Sequence, residues 1–565
     1  MLELGVAKSE ITTYEPRLGM MGWAMLHNFV ESVATPLHAR AFVMVDPAEQ
    51  RTVVLVCCEL ALISHALRQR VIERLRDSIP EAKLGEAELM LMATHTHSGP
   101  GGFTHYPFYN ITIPGFSSKV LEDLATGIAT AVETAWRGRA PGHVRYAEGA
   151  FAPEIPVAWN RSIEAYNRNP GVTRVTSTER HLALDRTMRL LRFEAEDGTP
   201  LGCINWFAVH GTSVHSDNTA LHFDNKGYAA QQVEQELGRR GHEGYVAAFA
   251  QGATGDVTPN NNKHPGKPWM RGRYADDDAS ARFSGELQST QAIALLDQSQ
   301  DSEPLPATLA SAHAFEDFSK IEVDPRYVEG REGLRTAPAE IGLAMFFGTE
   351  EGPGLPRSLR FVQGIASAVR KRWRRFAPRQ TWAEHAETQA EKVPLVESGR
   401  RRILGVSRLS ALPLPWNIHP ALRLVGALDD GVDDPKPWTP AILPVHLAVI
   451  GGVAIAAAPA ELTTTAGRLL RGSIGERLAS MGVTKTVLAG YANAYSGYLT
   501  TPEEYELQDY EGASTHFGKW TLGGYQTVFD RLARGLVEPG VAVMRRTVLP
   551  PKFGREELAV RSFSG

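Results

Sequence analysis

Apolar residues in this chain arrive in short, dense runs bounded by turn residues. TVVLVCCELALI (52–63), ELMLMAT (88–94), MRLLRFEAE (188–196), GCINWFAVHG (202–211) and YVAAFAQG (245–252) predict buried strands. Between them the apolar spacing becomes helical. SHALRQRVIERLRDS (64–78) predicts a helix with Ser64 as its N-cap, 118–138 a second, and GYAAQQVEQELGRRG (227–241) a third. From about 262 to 440 the pattern loosens into Pro, Gly and charged residues, which predicts insertions and loops over the core. Strong signals return at Ile442. No repeat of fixed period appears, and strands and helices mix without strict βαβ alternation. The expectation is a mixed α/β (α+β) fold, layered β-sheets flanked by helices, in one domain over 1–565 with a divergent, insert-rich region at about 262–440.

Two segments admit more than one reading. LPVHLAVIGGVAIAAAPA (443–460) has nearly the length of a membrane span. Gly451 and Gly452 divide it, however, and the pattern predicts a two-residue hairpin between buried strands. In LRFVQGIASAVRKRWRRFAPR (359–379), Val362, Ile365, Val369, Trp373 and Phe376 share one helical face, with Arg370, Lys371, Arg372, Arg374 and Arg375 off it. That is either an ordinary surface helix or a peripheral contact with an anionic membrane.

Composition narrows the class. The 565 residues are 43% hydrophobic and 22% charged, ordinary for a globular protein with a large core. A net charge of −5 carries no basic excess, which argues against a nucleic-acid partner. Cys57, Cys58 and Cys203 are too few for a disulfide framework and suit buried thiols. MLELGVAKSEIT lacks a basic region followed by an apolar one, so a cytoplasmic location is expected. Oligomeric state is left open.

The chemistry gathers where buried segments end. ATHTHSGPGGF (93–103) runs from a strand into a glycine-built loop, and alternation on that strand would point His95 and His97 the same way. His210 ends NWFAVHGTS, Glu461 follows the hairpin and opens a helix, and QGATGDVTPNNN forms a loop around Asp256 and Thr258. Five tyrosines (Tyr491, Tyr495, Tyr498, Tyr505, Tyr510) fall within 20 residues. Two histidines and a carboxylate with an open position suit a catalytic zinc, which lowers the pKa of bound water and polarises a carbonyl. Each residue taken alone also fits a structural role, and no HExxH motif fixes the spacing.

A resemblance carries the reading further. GMMGWA (19–24), ATHTHSGPGGF, NRS (160–162), NWFAVHGTS (205–213), DNKGYAA (224–230), GDVTPN (255–260), GTEEGPG (348–354), PAELTTTAGRLLR (459–471) and NAYSGYLTTPEEYELQDYEGAST (493–515) closely resemble the neutral/alkaline ceramidase family, in family order. The resemblance implies a zinc amidohydrolase that splits ceramide into sphingosine and fatty acid by metal-activated water. It places the metal ligands at His95, His210, Glu461 and Tyr498, and makes His97 an acid/base. Arg161 and Tyr510 would bind the carbonyl oxygen and steady its developing charge.

Departures leave alternatives open. Thr258 stands where the family typically has serine, which suits a catalytic or substrate-contacting hydroxyl better than a nucleophile. After EGASTHFGKW about 45 residues follow, too few for the family's immunoglobulin-like C-terminal domain of roughly 100. The partner is expected to be an N-acyl lipid. Alternatives are another N-acyl amine, N-acyl amino acid or ester handled by the same chemistry, or a non-catalytic binding protein on the same fold.

Overall fold

The structure is a computed structural model that describes residues 1–352, 354–355, 361, 364–365, 388–407, 424–426, 428, 436–538 and 548–563. The basic segment 359–379 lies outside the described residues except at three positions.

Two sheets carry the fold. The larger is built from β1 (Leu2–Glu10), β2 (His38–Asp46), β3 (Arg51–Cys58), β4 (Leu89–Ala93), β5 (Ala140–Ala150), β6 (Thr187–Ala195), β7 (Pro200–Trp206) and β8 (Val246–Ala250). Their spatial order is β8-β7-β6-β5-β1-β2-β3-β4. The smaller holds β9 (Leu309–Asp317), β10 (Ile442–Ile450), β11 (Val453–Ala457) and β12 (Lys485–Ala489), in that order. Six longer helices accompany them: α1 (His65–Ser78), α2 (Ser118–Arg137), α3 (Asp224–Arg239), α4 (Asp277–Gln298), α5 (Thr464–Leu478) and α6 (Thr521–Val537).

Alternation along the strands sorts their side chains onto opposite faces and makes a four-layer α/β/β/α stack. Leu4, Phe42, Leu55, Phe193 and Trp206 of the large sheet meet Ile450, Ile455 and Val487 of the small one. The opposite face of the large sheet takes α1 and α2 through residues such as Val43, Val56 and Leu91, and α3 and α4 through Leu190, Cys203 and Phe249. The outer face of the small sheet, through Val445, Leu447 and Leu488, packs against Leu470, Ile474 and Phe529 of α5 and α6.

Most of the pattern-based elements are present. Ser64 caps α1 by accepting from the Leu67 N–H. The 443–460 run is the β10–β11 hairpin, with Ile450 opposite Val453 across the two glycines. Among the described residues, no helix is long and apolar enough to cross a membrane. The 262–440 region departs from expectation, because it supplies α4 and β9 to the layered core. Its polar, Gly/Pro-rich flanks hid a helix whose buried face is largely Ser, Ala and Gly.

Among the described residues the two main sheets hold three parallel strand pairs: β3 with β4, β7 with β8, and β11 with β12. Each needs a crossover, and α1, α3 and α5 provide them. The chain therefore leaves β4, β7, β8, β11 and β12 through loops at their carboxyl ends. Although β4 and β8 lie at opposite ends of the strand order, the ends of these strands meet. Gln251, just past β8, donates to the carbonyls of Thr94 (2.8 Å) and Val209 (2.6 Å).

Phe193 lies fully buried between the sheets, 4.9 Å from the Phe42 ring centre. Phe193→Ala is expected to lower unfolding stability by about 3–5 kcal/mol in chemical denaturation. A loss below ~1 kcal/mol would mean that the inter-sheet core is not the main stabilising layer.

Candidate functional site

His95 and His97 reach the same place by a route other than strand alternation. β4 ends at Ala93, and His95 adopts a left-handed backbone (φ 65°), which is uncommon for histidine. The kink is held by hydrogen bonds from the His95 N–H to Leu60 O (2.9 Å) and the His97 N–H to Gly211 O (3.0 Å). Gly211 is required there, since a Cβ would sit 2.3 Å from the His95 carbonyl oxygen. The result is two perpendicular rings with their Nε2 atoms 3.0 Å apart.

His210 follows β7 and meets them. His95 Nδ1 donates to Ala61 O (2.5 Å) and His210 Nδ1 donates to Val257 O (2.9 Å). Carbonyl oxygens only accept, so both rings carry a proton on Nδ1 and turn Nε2 toward the cluster. Both Nε2 atoms face Glu461 Oε2, at 3.6 Å from His95 and 3.3 Å from His210. His210 Nε2 has no acceptable hydrogen bond among the described residues. His95, His97 and His210 together offer ring nitrogens within 4.8 Å of one another.

Glu461 does not open a helix. It precedes Thr463, the N-cap of α5, and forms a two-residue strand, Glu461–Leu462, parallel to Tyr498–Leu499. That pairing sets Glu461 beside Tyr498 in register. The carboxylate accepts from Tyr495 (2.5 Å, Oε1) and Tyr491 (3.0 Å, Oε2), and the Tyr491 ring stacks on His95 at 3.9 Å. Burial works to raise the Glu461 carboxyl, but His95, His210 and the Tyr495 hydroxyl outweigh it and hold it well below the usual range. Burial pushes His95 down to about 4 and His97 well below its ordinary value, so both rings are neutral at pH 7.

Two imidazole Nε2 atoms and an ionised carboxylate oxygen thus converge within reach of one cation. Donors ~2.0–2.2 Å from one tetrahedral ion lie about 3.3–3.6 Å apart, which the observed separations match. This donor set fits a divalent metal.

Arg161 is the charged hub beside the cluster. It donates to Glu351 (2.6 Å), Glu511 (2.9 Å), Gly255 O (2.8 Å) and the Tyr498 hydroxyl (3.0 Å). Those bonds occupy most of its donors and hold Tyr498, and Arg161 also lines the cavity. Thr258 lies beside Glu351. Its buried hydroxyl donates to Glu351 Oε2 and it does not line the cavity. That bond orients Glu351. Burial alone would raise the Glu351 carboxyl; Arg161, then His210 and Thr258, bring it down to about 2. Tyr510 does face the cavity, edge-on to Tyr498 at 5.5 Å, and burial pushes its hydroxyl up to about 12.

The cavity above these groups has a volume of about 340 Å³. Its floor includes His95, His97, His210, Glu461, Tyr498 and Tyr510. Its walls include Met20, Met21, Met25, Phe108, Ile111, Ile113, Met345 and Phe346. Trp23 stands edge-on to His97 at 5.1 Å, and a Cβ at Gly22 (φ 132°) would lie 2.5 Å from the His97 ring. Sequence reasoning missed Tyr491, Tyr495, Glu351 and Glu511 as functional residues. The signals were present, in the tyrosine cluster and in GTEEGPG and DYEGAST, but side-chain partners cannot be read from spacing.

An apolar cavity floored by a metal-type donor set and a phenol donor is the arrangement of a hydrolase site. The chain belongs to the neutral/alkaline non-lysosomal ceramidase family, whose N-terminal model matches residues 2–409 and 422–527. It is 33% identical over 540 residues to the neutral ceramidase of Pseudomonas aeruginosa, covering 94% of this chain and 72% of that one. Neutral ceramidase B of Dictyostelium discoideum is 30% identical over 564 residues, 95% of this chain and 72% of the relative. Among solved structures, a ceramidase complexed with C2 superposes with a TM-score of 0.78 at 31% identity, over 98% of this chain and 77% of that one. The P. aeruginosa neutral ceramidase gives 0.76 at 31% identity, over 95% and 74%.

Removing the hub's charge strands two buried carboxylates. Arg161→Met is expected to destabilise the fold at pH 7 by about 3–5 kcal/mol. Glu351 is depressed in the folded state, so the stability it contributes is present above the unfolded carboxyl pKa of about 4.3. It is lost as pH falls toward the folded value. Urea unfolding from pH 7 down to pH 3 should show the gap between wild type and Arg161→Met closing in that window. A gap that does not change with pH would remove Glu351 from the account.

Proposed function

We propose that this protein hydrolyses the amide bond of ceramide, releasing sphingosine and a fatty acid, with zinc as its metal. The observation that carries this is the convergence of His95 Nε2, His210 Nε2 and Glu461 Oε2 at the floor of an apolar cavity. Identity to named neutral ceramidases over nearly the whole chain supports the substrate. Imidazole and carboxylate donors suit zinc, with His95, His210, Glu461 and Tyr498 as the residues that would hold it. Zinc bound there would supply Lewis-acid polarisation of the carbonyl and activation of water.

The chain's own groups do the rest. The methionine and aromatic walls take an alkyl chain out of water and seat the amide over the floor. Tyr510, kept protonated by burial, donates to the carbonyl oxygen as its charge develops. Neutral His97 takes a proton from the attacking water and returns it to the departing amine. Arg161 fixes Tyr498 and neutralises Glu351 and Glu511, and Thr258 aligns Glu351.

The test is mass-spectrometric detection of sphingosine released from ceramides of several chain lengths, beside N-acyl amino acids, simple N-acyl amines and esters. Zinc-loaded wild type is expected to release sphingosine, and His95→Ala to release none. Turnover confined to a non-lipid amide or ester would overturn the ceramide reading. Zinc content measured by plasma mass spectrometry should fall together with activity in Glu461→Ala. Tyr510→Phe should keep its zinc and lose about 100-fold in kcat; full activity in that variant would remove Tyr510 from the oxyanion role.

A further inference from the structure

We propose that Tyr495 fixes how Glu461 meets the metal, restricting the carboxylate to a single ligating oxygen. The proposal rests on the metal reading above. A carboxylate can offer an ion one oxygen or both. Here the two oxygens of Glu461 have different company. Oε2 faces His95 Nε2 and His210 Nε2 at 3.6 and 3.3 Å, and accepts from Tyr491. Oε1 is taken by the Tyr495 hydroxyl at 2.5 Å. A hydroxyl bonded to a buried, ionised carboxylate is a strong, charge-assisted donor.

Tyr495 is itself braced. Its ring lies edge-on to Tyr109 at 5.3 Å, and its carbonyl accepts from the Tyr109 hydroxyl at 3.5 Å. On the other side it lies nearly parallel to Tyr491, with ring centres 6.5 Å apart. Without the Tyr495 hydroxyl, Oε1 becomes a buried acceptor with no donor, a cost that swinging onto the ion removes. Tyr495 is therefore a positioning residue. It keeps the metal's coordination one below what a chelating carboxylate would give, and so preserves a position for water. Tyr491 is the internal control, because it bonds the oxygen that already faces the histidines and its loss frees no second oxygen.

The experiment uses the full chain loaded with Co²⁺, whose visible bands weaken and move to shorter wavelength as coordination number rises. Wild type and Tyr491→Phe are expected to share one band intensity. Tyr495→Phe should show weaker bands shifted to shorter wavelength, with circular dichroism reporting an intact fold. A Tyr495→Phe spectrum identical to wild type overturns the proposal while leaving the metal reading standing. Wild type showing only the spectrum of the aqueous ion overturns the metal reading, and the proposal with it. If Tyr495→Phe does not fold, infrared difference spectra of wild type carrying ¹³C-labelled glutamate, with and without Zn²⁺, decide the matter. A wide splitting of the carboxylate stretches is the expected single-oxygen signature, and a narrow, chelate-type splitting overturns the proposal.

Discussion

The site turns on a buried carboxylate that faces two imidazole nitrogens. Glu461 would be costly in that position if nothing balanced its charge. Two features make the arrangement specific. The Nδ1–H groups of His95 and His210 are committed to backbone carbonyls, which fixes where the Nε2 atoms point. The hydroxyls of Tyr491 and Tyr495 hold the carboxylate itself. The donors are thus oriented before any ion arrives, which is what preorganisation requires.

The scaffold concentrates irregular backbone at this point. His95, Tyr491 and Asn493 all have positive φ, and all three follow the ends of parallel strands. Such conformations cost of order 1–3 kcal/mol each and persist where surrounding contacts over-determine them. Asn493 shows the mechanism. Its N–H donates to the Leu91 carbonyl and its side-chain oxygen accepts from the Leu91 N–H, which ties the loop after β12 to strand β4. The β11–β12 pair of the small sheet and the β4 edge of the large one are thereby locked at the site.

Around this centre the charges are balanced in a chain. Arg161 joins Glu351 and Glu511, Thr258 and Asn260 complete Glu351, and the Arg161 backbone N–H donates to the carbonyl of Asp256. The Asp256 side chain in turn accepts from the Thr464 N–H at the start of α5, a few residues beyond Glu461. Threonine at position 258 keeps the one group this network uses, a hydroxyl aimed at Glu351, and its stiffer χ1 suits a fixed role better than a moving one.

Local pattern was enough to determine the strands, the Ser64-capped helix, the Gly451–Gly452 hairpin and the layered class, because burial on one face imposes a period that neighbours reveal. The resemblance in THTHSGPGG, NWFAVHGTS, PAELTTTAGRLLR and DYEGAST was enough to point at His95, His97, His210, Glu461 and Tyr510. What the sequence could not carry was decided by contacts between residues far apart in the chain. The backbone turn at His95 comes from Leu60 and Gly211, the grip on Glu461 from Tyr491 and Tyr495, and the partner of Thr258, Glu351, from a loop 93 residues away. The role of α4 and β9 in the core was likewise invisible, since a helix with a buried face of small polar residues leaves no hydrophobic period to read. Hydrogen-bond partners depend on which strand ends the fold brings together, and that is a property of the tertiary structure alone.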